Sequence, residues 1–344
     1  MRATAPRAPA RPWALLLGLL LALAGSAGLW AGDGPTIPEL RRALLEAQGD
    51  ERIGFALDRL QGRIGAPEFA DTGAFGDWLG ALPDGRAAHP VVRLRRGWAY
   101  VTARRGAEAV ELLEAALRDD AGSGLVRAYL GEALRQSGRL REAMPMLASA
   151  RRTGYAGGHL RQSAEECFHG LRAGGTVKDA PALPDYAVGA EAWLAVGPDA
   201  ALQALLARAL LDDLAAHDTP SSERGRLWAR TAAPHALDAS LQPGAERLAS
   251  AQLALDAALA LDGEEAAQPG RTLRFDLLAR AYALGTPLER EGHDLPEVLP
   301  LLAEAALAEG RPELAARLAR QRLDLSESPA ARRVLLSLPP DLGD

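Results

Sequence analysis

The stretch that decides the fold runs from Leu130 to Leu147, LGEALRQSGRLREAMPML. Its apolar residues recur at helical spacing, yet Gly131 stands inside the first half. A glycine within a helix costs about 1 kcal/mol against alanine, so something outside the helix must offset that cost. Gly138 then breaks the run, which resumes with Glu142 and Ala143. Two short helices around a glycine turn are the reading these residues support.

The same pattern stands 34 residues earlier. Gly97 aligns with Gly131, Ala99 with Ala133, Glu108 with Glu142, Ala109 with Ala143, Leu113 with Leu147 and Ala116 with Ala150. Tyr100 falls on Leu134, so large meets large and small meets small. A 34-residue period with this size pattern resembles the tetratricopeptide repeat, a helix-turn-helix unit. In that frame Gly97 and Gly131 mark places where a neighbouring helix comes too close for a side chain. Ala109 and Ala143 play the same part on the second helix, while Tyr100, Leu134, Leu113 and Leu147 fill the space between helices. Each unit leaves an apolar face open, so units must stack.

Two features depart from the pattern. The turn glycine of the first unit is read as Gly106, two positions later in the frame than Gly138, and Ala121 and Tyr155 stand where a late proline is usual. Pro145 is read as lying near the start of its helix, where a missing N–H has little use. The resemblance covers residues 90–157. Weaker echoes are LAEAA (Leu302–Ala306), followed by Gly310 and Ala315, and LARAY (Leu278–Tyr282). Ordinary alanine-leucine helix packing is an equal alternative for these echoes.

The expected fold is all-α, a tetratricopeptide-like array of helical hairpins (an α-solenoid) with irregular helical flanks. Five segments are expected: 1–31 a signal peptide or membrane anchor, 32–89 an N-terminal helical segment, 90–157 the two repeats, 158–185 a loop or linker, and 186–344 a C-terminal helical region of degenerate repeat character. Outside the repeats, helices are expected at 38–47, 51–61 (with Ile53, Ala56, Leu57 and Leu60 on one face), around Trp78, at 199–211, and at about 244–262, 271–284, 295–309, 311–324 and 328–337.

Composition agrees with a folded helical chain. Hydrophobic residues make up 48% of the 344 residues, charged residues 24% and aromatics only 5%, a mix poor in the residues that favour strands. The net charge of -6 argues against a nucleic-acid partner. Lys178 is the only lysine and there is no asparagine. Both use A-rich codons, which points to a GC-rich bacterial genome. With no asparagine, N-linked glycosylation is excluded. Cys167 is the only cysteine, so neither an internal disulfide nor a thiolate zinc cluster can form.

The N-terminus reads as an export signal. Arg2, Arg7 and Arg11 precede the apolar run WALLLGLLLALA (Trp13–Ala24), and the small residues Gly25, Ser26, Ala27 and Gly28 follow. Cleavage after Ser26 or Ala27 fits the small-x-small rule. The competing reading is an uncleaved inner-membrane anchor, since the low-polarity run to Ala31 is just long enough to span a bilayer. Both readings export the body of the chain, as a periplasmic, secreted or anchored protein.

No catalytic constellation, metal site or cofactor motif emerges. The six histidines form no His-Glu-x-x-His pair, and Gly-x-Ser-x-Gly, P-loop and dinucleotide fingerprints are lacking. Cys167 and His169, two apart on a helix, point in different directions. The acidic pairs Glu165-Glu166 and Asp212-Asp213 are read as solvated helix surface. What remains is a binding surface. In the family the chain resembles, the first helix of each unit lines a concave groove. The resemblance therefore places Leu94, Trp98, Val101 and Thr102 on the groove from the first unit, and Ala128, Glu132, Arg135 and Gln136 from the second. On this reading Trp98 is a flat apolar anchor and Arg135 pairs with a partner's carboxylate. The alternative is that a helix covers Trp98, while Glu132 and Arg135 sit in water. The implied function is a non-enzymatic scaffold that docks a protein or peptide segment. The other reading is an accessory domain or a cryptic envelope enzyme with its site in 186–344.

Overall fold

The computed structural model describes residues 34–174, 182–217, 222–242, 247–261, 268–290, 298–325, 327–339 and 342. The signal or anchor segment lies outside these residues. Among the described residues no helix is long and apolar enough to cross a membrane. All regular elements described are helices. The chain forms two compact units, Met1–Arg95 and Arg96–Asp344.

The first unit holds α1 (Ile37–Glu46), α2 (Asp50–Gln61), α3 (Thr72–Gly80), α4 (Asp84–Ala87) and the start of α5 (Pro90–Thr102). A capping box starts α1: Glu39 takes the Thr36 backbone N–H at 2.7 Å, and Thr36 Oγ1 accepts from the Glu39 N–H at 3.4 Å. The face expected for α2, Ile53, Ala56, Leu57 and Leu60, is the one it buries. Asp71 caps α3 by accepting from the Ala74 N–H at 2.8 Å. Phe69 and Phe75 are fully buried and, with Trp78, form an aromatic cluster with centroids 5.3–6.4 Å apart. Arg86 closes the end of α1, donating to the carbonyls of Leu45 and Ala47 at 3.0 and 2.9 Å.

The second unit continues α5 into α6 (Gly106–Asp119), α7 (Gly124–Gln136), α8 (Leu140–Arg152), α9 (His159–Gly174) and α10 (Asp185–Leu194). It goes on through α11 (Ala200–His217), α12 (Glu223–Ser240), α13 (Arg247–Ala260), α14 (Gln268–Arg290), α15 (Val298–Ala308), α16 (Pro312–Leu325) and α17 (Pro329–Leu336). From α6 to α10 and from α11 to α17 each helix packs on the next. Several also pack on the one after: α7 on α9, α8 on α10, α11 on α13, α12 on α14 and α15 on α17. This is the neighbour pattern of stacked hairpins.

The repeat glycines do what the size pattern predicts. A Cβ on Gly97 would lie 2.7 Å from Leu113 Cγ, and one on Gly131 would lie 2.7 Å from Leu147 Cγ. Ala99, Tyr100, Ala109, Leu113 and Ala116 are buried, as are their counterparts Ala133, Leu134, Ala143, Leu147 and Ala150.

Three expectations change. The turn residue of the first repeat is Arg104, not Gly106. Arg104 takes a left-handed φ of 61°, as Gly138 does at 78°, 34 residues on. In both turns the last carbonyls are closed in the same way. Arg105 N–H reaches Tyr100 O at 2.8 Å and Arg139 N–H reaches Leu134 O at 2.9 Å, the outer bond of a Schellman motif. Gly106 instead opens α6, where a Cβ would lie 2.5 Å from Gln136 Cβ and 2.7 Å from Ala133 O. Pro145 is the sixth residue of α8, not one of the first turn. The carbonyl of Arg141 therefore loses an intrahelical donor there, at a position where Pro145 is exposed to water.

The third change is the largest. The span 158–185, expected as a loop or linker, contains α9. Its residues continue the 34-residue frame: Cys167 falls on Ala133 and Ala99, and Phe168 on Leu134 and Tyr100, all of them buried. Thus α9 is the first helix of a further unit, packed on α7, α8 and α10. A helix also fills Glu223–Ser240, where none was expected. The LAEAA echo ends in a turn of the same type as the repeats. At the end of α15, Gly310 has φ 71° and Arg311 N–H reaches Ala306 O at 2.9 Å, the turn seen at Gly138.

Candidate functional site

The predicted groove residues lie on α5 and α7, the first helices of the two repeats, and α9 follows as the next first helix. Leu94 is half-buried and belongs to the first unit; the other seven belong to the second. Ala128 is fully buried and Val101 nearly so, which makes them packing residues. Trp98 is half-buried and Thr102 exposed, with the Thr102 hydroxyl donating to Trp98 O at 2.9 Å.

Glu132, Arg135 and Gln136 come together, but neither in water nor facing outward. Glu132 is only 9% exposed. Arg135 donates to both of its oxygens, Nε to Oε2 at 2.8 Å and Nη2 to Oε1 at 2.5 Å. Gln136 Nε2 donates to Glu132 Oε1 at 2.9 Å and to Val101 O on α5 at 3.0 Å. From α9, Ser163 Oγ donates to Glu132 Oε2 at 2.8 Å. Arg135 Nη1 also meets Glu166 at 2.5 Å, and Arg104 stands 3.9 Å from Glu132. The Glu132 carboxylate thus joins α7 to α9, and Gln136, which it holds, joins α7 to α5. Ser163 and Glu166 were not among the predicted groove residues. Extending the 34-residue frame one step, from Glu132 to Glu166, is the signal that finds them.

The electrostatics follow from this geometry. Burial raises the Glu132 carboxyl, but the hydrogen bonds from Arg135, Gln136 and Ser163 and the Arg135 charge outweigh it. The carboxyl stays below its ordinary range. Arg135 is held charged chiefly by its hydrogen bonds to Glu132. The neighbouring Cys167 is fully buried. Burial, with the Glu132 and Glu166 charges added and Arg135 opposing, pushes its thiol up to about 12. Such a thiol carries no thiolate for nucleophilic chemistry. His169, two residues on, is exposed.

The acidic pairs are fastened rather than simply solvated. Arg161 holds Glu165 at 2.9 Å. Arg172 of α9 reaches Asp212 and Asp213 of α11 at 3.3 and 3.0 Å, and Tyr186 of α10 donates to Asp213 at 2.6 Å. Among the described residues no group of His, Cys, Asp and Glu is placed to hold a metal ion.

A family model described as tetratricopeptide repeat matches residues 100–155, from the end of α5 through α8. No curated protein matches the chain. Helix pairing, turn geometry and this match agree. Residues 100–155 carry tetratricopeptide repeat sequence within an all-α fold of helical-repeat type, a kind of module that suggests a protein-interaction scaffold.

Proposed function

We propose that the protein is an exported, non-enzymatic scaffold that docks a segment of a protein partner on the face formed by α5, α7 and α9. The observation that carries this reading is the Glu132 network. It fixes three helices to one another with hydrogen bonds already made within the chain. A surface held in one arrangement loses little freedom when a partner binds, which favours recognition. Trp98 and Thr102 border this locked centre and serve as its contact residues, while Arg135 acts as a brace rather than as a partner's counter-ion. Export rests on the basic, apolar and small-residue order of residues 2–28.

The test is crosslinking in the native envelope, followed by mass spectrometry of the partners and of the mature N-terminus. The expected result is a mature chain starting at Ala27 or Gly28, or an intact anchored one, with a protein partner that Trp98→Ala together with Thr102→Arg removes. Retention of every partner by the double variant contradicts the assigned face. A chain found only in the cytoplasm contradicts export.

A further inference from the structure

We draw no further inference here: the strongest candidate, the open depression of the first unit lined by Leu45, Ile53, Pro83, Arg86 and His89, carries nothing, because Arg86 is already engaged by the carbonyls of Leu45 and Ala47, His89 stands 3.5 Å from Asp50, and nothing in the structure shows what covers the apolar walls.

Discussion

Two glycines in equivalent positions differ in what surrounds them. At Gly97 the nearest atoms are all from the Leu113 side chain, which can turn aside. At Gly131 the backbone nitrogen of Leu147 also lies 3.2 Å from the added Cβ. Alanine gains about 1 kcal/mol of helix propensity at either site, while overpacking costs about 1–3 kcal/mol. Gly131→Ala is therefore expected to lower stability by about 1–2 kcal/mol and Gly97→Ala by less. Urea unfolding followed by circular dichroism measures both, and equal losses would contradict the backbone argument. Arg104 presents the opposite case. It holds a left-handed conformation that Gly138, Gly154 and Gly310 adopt in matching turns. A non-glycine residue there costs about 1 kcal/mol or more. Its ion pair with Glu132, at 3.9 Å with the Arg104 side chain 76% exposed, returns little. Arg104→Gly should stabilise the chain by about 0.5–1 kcal/mol; a clear loss of stability would show that Arg104 holds Glu132 more firmly than its distance implies.

At the scale of elements, the helices legible in the sequence were those with a clean apolar period or a repeat partner. Helices α1, α2, α16 and α17 fall within a residue or two of their expected limits. The first unit's turn was misplaced because a left-handed arginine hides a position that sequence reasoning assigns to glycine. Glu165, Glu166, Cys167 and His169 were read on a helix, but the extent of α9 was not legible, because Glu165 stands where the frame has its close-approach glycine and glycines at 154, 157, 158, 174 and 175 suggest a loop from both ends. The candidate site was legible as a set of residues, since Glu132, Arg135 and Gln136 do cluster. Its character was not. Only the position of α9 shows that Ser163 and Glu166 close the cluster, turning a surface for a partner into a joint between helices. This joint has a pH signature. The Glu132 carboxyl is held below its ordinary value, which is about 4.3 in an unfolded chain. Between the two values the unfolded chain binds more protons than the folded one, so stability rises with pH there. The contribution is full above about pH 5 and is lost as pH falls through the folded value. Glu132→Gln should flatten the acid limb of the stability profile below about pH 5. An acid limb identical to that of the parent chain would show that other carboxylates control it.

At the scale of the whole molecule, the chain divides into two compact units within α5. The second carries the repeats and a first-helix face locked around Glu132. A scaffold of this kind needs no catalytic group; it needs a face that keeps its shape. That claim is tested most directly by placing a photo-crosslinking amino acid at single positions of the chain in its native cell. With the probe at Trp98 or Thr102 the account predicts a covalent adduct with a partner protein, and with the probe at Arg141, exposed on α8, it predicts none. Adducts formed from Arg141 but not from Trp98 or Thr102 would contradict it.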